Sequence, residues 1–148
     1  MAFQFSLRAL LRLRQSQEKQ EELLFRQACA QVDLLHERIQ ATTRTLAELN
    51  QCEQKMLHAG LRSAQLHFHQ LSRSALQETE RGLERQLMEA EITRAARQIE
   101  FQKARQQREV METLRHQQSQ MYLRQEARRE QRQLDEFYLL HQFRQNRS

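Results

Sequence analysis

Val32, Leu35, Ile39, Thr42, Leu46, Leu49 and Met56 recur in alternating steps of three and four residues, with Glu53 as the one interruption. That spacing is the a/d stripe of a coiled coil. A stripe so narrow cannot bury itself and requires a partner helix, and no other stretch of the chain reads as a different kind of element. Upstream, Phe3, Phe5, Leu7, Leu10, Leu11 and Leu13 make a dense apolar entry, and Arg14 to Glu22 is polar almost throughout before Phe25 resumes the stripe. The pattern predicts a first helix over about residues 3–58 with a weak seam at Arg14 to Glu22. There, either the partner helix supplies polar contacts or the end splays open.

The best break is the run His58 to Gln65, where Gly60 can stand just past a helix end and Ser63 can cap the next one. Ser74 followed by Gln77 has the form of a capping box, so the tip, about residues 59–66, can be a short helix or an irregular loop. A second helix follows over about residues 67–146, with Leu76, Leu83, Leu87, Ala90, Phe101, Ala104, Met111, Leu114, Met121 and Tyr122 as its stripe. Arg94, Arg97 and Arg108 fall among these seam positions. The fold class is therefore all-α: a long antiparallel two-helix coiled-coil hairpin, one domain over 1–148, with the second helix longer than the first. At about 1.5 Å per residue the longer arm would reach about 120 Å, and roughly 20 residues near Arg124 to Arg144 would overhang the first helix.

Composition narrows the choice further. The chain has 148 residues, no proline, two glycines and 25 glutamines, with 39% apolar and 29% charged residues. It lacks turn punctuation and is too polar for a wide core. No apolar run of about 18 residues is present, so no membrane-crossing helix is expected. The opening MAFQFSLRALLRLRQ is broken by Arg8, Arg12 and Arg14 and does not read as a secretory signal. Cys29 and Cys52 lie roughly 35 Å apart on one helix at the helical rise, beyond disulfide reach. Two free thiols fit a reducing, cytoplasmic setting. The net charge is +5, and between Arg94 and Arg132 ten Lys or Arg face five acidic residues, against fourteen and fourteen elsewhere.

Three stretches carry a resemblance. The opening M-A-F-x-F-x-L-x-x-L-L-x-x-R stands here as Met1, Ala2, Phe3, Phe5, Leu7, Leu10, Leu11 and Arg14. Leu66, Phe68, Gln70 and Leu71 follow the glycine break. R-R-E-Q-R-Q-L-D-E-F closes the pattern from Arg128 to Phe137. In these stretches, in length and in the position of the break, the chain resembles the FliJ family of flagellar type III export proteins. The resemblance implies a soluble, stalk-like coupler similar to the central stalk of rotary ATPases. It would bind the hexameric flagellar export ATPase with its paired termini, engage the cytoplasmic domain of the export gate, and help handle export chaperones. It would sit in the cytoplasm, peripherally associated with the inner face of the membrane through the export apparatus, and serve flagellum biogenesis and motility.

The candidate ATPase-binding residues are Arg8, Arg12, Arg14, Arg124, Arg128, Arg129, Arg132, Asp135, Glu136 and Phe137. Against that stands the plainer reading of a solvated charged face. Leu134, Phe137, Tyr138, Leu140 and Phe143 lie beyond the first helix and either form an exposed binding patch or fold back on Phe3, Phe5 and Leu7. At the tip, Leu66, Phe68 and Leu71 are candidates for the export gate, the alternative being that they close the hairpin, more so for Leu71 than for Phe68. His67 and His69 point to different faces and the other histidines stand alone, so no metal site is expected. No phosphate loop or nucleophile constellation is spaced for chemistry, so no enzyme and no cofactor are expected. Two other classes remain in view. One is a basic nucleic-acid-binding coiled coil, disfavoured because Phe101 and Tyr122 are the only aromatics in its basic window, so no nucleic acid is expected. The other is a homodimeric scaffold, which requires Gly60 inside one continuous helix.

Overall fold

A computed structural model describes residues 2–60 and 62–147. Met1, which opens the first matched stretch, Leu61 in the expected tip, and Ser148 lie outside the described residues. Two helices account for almost all the rest: α1 spans Arg8–Ala59 and α2 spans Ser63–Gln145. With 52 and 83 residues, α2 is the longer, and among the described residues there is no strand. The protein is all-α, as the periodicity predicts.

Helix α1 begins five residues later than its apolar opening suggests. Phe3 and Phe5 are two positions apart, which places them on nearly opposite sides of a helix but on one side of an extended chain. The structure takes the extended option, so both rings serve one cluster, and the Phe5 carbonyl then accepts the Arg8 N–H at 3.2 Å. At the other end Gly60 adopts φ +86°, the left-handed conformation that stops a helix and that residues with a Cβ rarely take. This ends α1 at Ala59 and excludes a single continuous helix. Arg62, not Ser63, takes the capping position of α2: its carbonyl accepts the Leu66 N–H at 3.2 Å. Ser74 and Gln77 lie inside α2, so their capping-box pattern is unused.

The chain divides into two compact units, Lys19–Gln102 and the paired segments Met1–Glu18 with Lys103–Ser148. Lys19–Gln102 is a helical hairpin. Val32 and Leu35 are its most enclosed side chains, each 1% exposed, and Ile39, Thr42, Leu46, Leu49 and Met56 continue the seam half-buried. Across from them Leu66, Leu76, Leu83, Leu87, Ala90 and Phe101 are half-buried, as are Arg94 and Arg97. Phe25 stacks on Phe101 with ring centroids 5.9 Å apart. Contacts run Phe25 to Phe101, Thr43 to Glu80 and Glu53 to Arg73, so α2 numbers fall as α1 numbers rise and the pairing is antiparallel. Glu53, the break in the stripe, is not turned outward. It is buried in the seam, where Arg73 forms its ion pair.

In the second unit Phe5, Leu11 and Met111 form the core, with Phe3, Leu10 and Leu114 packed against it. Phe3 also meets Tyr122 at 5.8 Å. Met121, expected in the seam, is 59% exposed instead. Adjacent helical positions are about 100° apart, and Tyr122 has the inward one. The polar stretch does not splay, because α2 answers it in kind. Arg108 donates through Nε to Glu18 Oε2 at 2.5 Å and through Nη1 to Glu112 Oε2 at 2.7 Å. Arg14 donates to Gln107 Oε1 at 2.8 Å. The hydrogen bond to Glu18 holds the Arg108 guanidinium above its ordinary pKa, with partial burial opposing the shift. The sign makes this bridge insensitive to pH through Arg108, since a raised arginine keeps its charge at every working pH.

From Ala127 to Arg147 every described residue is exposed. Leu134, Phe137, Tyr138, Leu140 and Phe143 do not fold back on the N-terminal segment. Helix α2 continues without a break to Gln145, so no turn brings these side chains back toward Phe3 and Phe5.

Truncating the enclosed seam residue, Leu35→Ala, is expected to cost about 2–5 kcal/mol through lost burial and a residual cavity. A urea titration followed by far-UV circular dichroism measures this, with Cys52→Ala as an exposed control within about 0.5 kcal/mol. For the polar insertion, Arg108→Glu leaves two partly buried carboxylates facing each other and is expected to cost about 2–3 kcal/mol. The swap Glu18→Arg, Arg108→Glu recovers more than half of that loss. Equal destabilisation in the single and double variants shows that the pair does not act as a unit.

Candidate partner-binding surfaces

Charge is divided unequally between the two units. Met1–Glu18 with Lys103–Ser148 carries thirteen Lys or Arg against seven acidic residues, a net +6, while Lys19–Gln102 carries eleven against twelve, a net −1. The whole excess belongs to the unit that contains both chain ends. The window Arg94 to Arg132 read from the sequence overlaps this unit but includes Arg94 and Arg97, which are half-buried in the other one.

Within the basic unit the candidate residues separate by their contacts. Arg8 and Arg12 are exposed on the first two turns of α1. Arg14 is half-buried and committed to Gln17 and Gln107, so its guanidinium belongs to the seam and not to a free surface. Arg124, Arg128 and Arg132 are exposed at four-residue intervals on one side of α2. Arg129 pairs with Glu126 at 2.9 Å, and Asp135 accepts a hydrogen bond from Gln131 at 3.0 Å. Glu136 is exposed, and Phe137 is 70% exposed.

The sequence pattern alone does not pick out two features of this unit. Leu139 joins the exposed apolar group at 52% exposure. Arg115, far from the terminal arginines in sequence, lies beside Arg8 and Arg12. Antiparallel pairing places Arg115 there, and the signal that finds it is the register, which needs the contacts of both helices.

In Lys19–Gln102 the tip residues behave differently from one another. Leu66 is half-buried, whereas Phe68 is 67% and Leu71 58% exposed. Leu71 therefore does not close the hairpin. That task falls to His69, which is buried and lies with Nε2 3.2 Å from Met56 Sδ, and to the Glu53–Arg73 pair. His67 to Leu71 thus places one inward ring between two outward apolar side chains.

Cys29 is half-buried and Cys52 exposed, both as free thiols. Among the described residues no three His, Cys, Asp or Glu side chains converge as a metal site, and no helix is long and apolar enough to cross a membrane. The features offered to a partner are an exposed apolar helix end, unpaired arginines and an apolar tip, which are the means of docking to another macromolecule.

No curated protein and no solved structure matches the chain. The family model described as flagellar FliJ protein matches residues 3–148. Both the N-terminal apolar opening and the exposed C-terminal end fall within that match, as does the glycine break. The chain belongs to the flagellar FliJ protein family and is a component of the flagellar export apparatus.

Proposed function

We propose that the protein is a stalk-like coupler whose paired termini enter the central opening of the hexameric flagellar export ATPase. One observation carries the reading. Leu134, Phe137, Tyr138, Leu139, Leu140 and Phe143 are between 52% and 70% exposed. At about 100° per residue they surround the helix, leaving no azimuthal gap wider than about 100°. Exposed apolar side chains facing every direction are costly to leave in water, and no described part of this chain covers them. A flat docking site would use one stripe; apolar side chains on every side call for a partner that encircles the helix.

The arginines suit the same arrangement. Arg124, Arg128 and Arg132 have no acidic partner among the described residues, so their charge is available to steer docking and fix orientation. Arg8 and Arg12 add positive charge from α1, and Asp135, Glu136 and Phe137 lie within the encircled stretch. At the other candidate surface, exposed Phe68 and Leu71 with half-buried Leu66 form the docking face for the cytoplasmic domain of the export gate. Through these two contacts the protein couples its partners without chemistry of its own. It joins the inner face of the membrane only through the apparatus, and export chaperones are a further class of partner.

The triple variant Arg124→Glu, Arg128→Glu, Arg132→Glu is expected to reduce stimulation of ATP hydrolysis by the cognate flagellar ATPase at least fivefold, with an unchanged far-UV spectrum. These side chains are exposed and unpaired, so their reversal leaves the fold intact. Full stimulation by the folded triple variant overturns the assignment of this face.

A further inference from the structure

Beside the N-terminal segment lies a groove of about 610 Å³ whose floor is Phe3, Phe5 and Leu11 and whose rim is Arg8, Arg12 and Arg115. Its size is that of a ligand-binding cleft. Phe5 and Leu11 are buried and Phe3 is half-buried, while the three arginines are exposed. Among the described residues none of the three guanidiniums has a hydrogen-bonded or ion-paired partner.

Other arginines of the same unit are tied to partners. Arg108 is held by Glu18 and Glu112, Arg14 by Gln17 and Gln107, and Arg129 by Glu126. The first turn of α1 carries no acidic residue, although a helix N-terminus favours one. Three cationic side chains from two helices therefore converge on one groove with no internal counter-charge. Their summed charge raises the local positive potential, and the apolar floor strengthens any charge pair made against it.

We infer that this groove binds an acidic peptide segment that carries an aromatic or large aliphatic anchor. Guanidinium groups bind carboxylates in a two-pronged geometry, and the floor accepts the anchor side chain. An extended peptide turns successive side chains to opposite faces, so one segment can place its anchor on Phe3, Phe5 and Leu11 while its carboxylates reach the rim. A nucleotide suits the groove less well. The groove has no glycine-rich backbone to cradle phosphate. The inference rests on the reading that the paired termini engage a partner, and it names the chemistry that the partner presents there.

The test uses the full chain and a fluorescein-labelled peptide of sequence Asp-Glu-Phe-Asp-Glu-Leu, with binding read by fluorescence anisotropy. The variant Arg8→Gln, Arg12→Gln, Arg115→Gln is expected to weaken binding at least tenfold, and replacing the peptide phenylalanine by alanine to weaken it about tenfold. The Arg124→Glu, Arg128→Glu, Arg132→Glu variant is expected to bind the peptide within twofold of the unaltered chain. Unchanged affinity in the glutamine variant overturns the groove assignment, as does equal binding of the alanine peptide, which would mean charge attraction alone. Displacement of the peptide by tripolyphosphate at lower concentration than by unlabelled peptide overturns the choice of a peptide over a phosphate anion. ATPase stimulation separates the two claims: stimulation by an unaltered chain that does not bind the peptide removes the groove and leaves the coupler standing.

Discussion

Packing along a seam barely two side chains wide is the constraint from which the rest of this structure follows. In Lys19–Gln102 its tightest point is Val32 with Leu35, where α1 lies against α2 with no third layer to share the burial. A seam of that width offers little apolar area, and stability in a domain is already a small difference between large terms. Each position along it therefore matters more than a position in a broad core. Gly60, with its left-handed backbone, fixes where the antiparallel partner begins and so which residues meet.

The charged residues within the seam follow from the same constraint. Glu53 and Arg108 occupy positions where an apolar side chain would add burial, and each is answered from the opposite helix, by Arg73 and by Glu18. Enclosed pairs of this kind add little net stability, because desolvation offsets their attraction, but breaking one is costly. Two helices with a glutamine-rich, repetitive pattern can slide by a heptad and still match apolar to apolar. A charge that finds its partner in one register alone penalises the others, as buried polar groups do in coiled coils. Within the unit that holds both chain ends, the Arg108–Glu18 pair thus favours the alignment that brings Arg115 beside Arg8 and Arg12.

Exposed apolar surface concentrates where the seam stops. Beyond Glu126 every described residue of α2 is exposed, and the largest group of exposed apolar side chains lies there. The unit holding both termini carries all of the excess positive charge. An apolar helix end with basic flanks is costly to leave in water and prone to non-specific association, so its presence points to a partner that covers it. The tip carries a smaller version of the same feature in Phe68 and Leu71, with His69 turned inward between them.

The sequence by itself determined the helices and pointed to their break and antiparallel pairing, with one continuous helix left open until the positive φ of Gly60 excluded it. These depend on local rules: a three-and-four periodicity, the absence of proline, and one glycine able to take a positive φ. It also determined that the C-terminal end outruns its partner, because that needs only the two arm lengths. Tertiary structure alone decided which of two neighbouring residues faces the seam, as with Tyr122 over Met121. It also decided that Phe3 and Phe5 extend instead of joining α1, that Glu53 turns inward, that Leu71 turns outward, and that Arg14 is bound while Arg8 and Arg12 are free. The reason is register. A straight helix drifts by about 20° per heptad against an ideal repeat, so the side facing the partner after several turns depends on how both helices wind and pack. Contacts across the seam settle that, and no single strand of the pattern contains them.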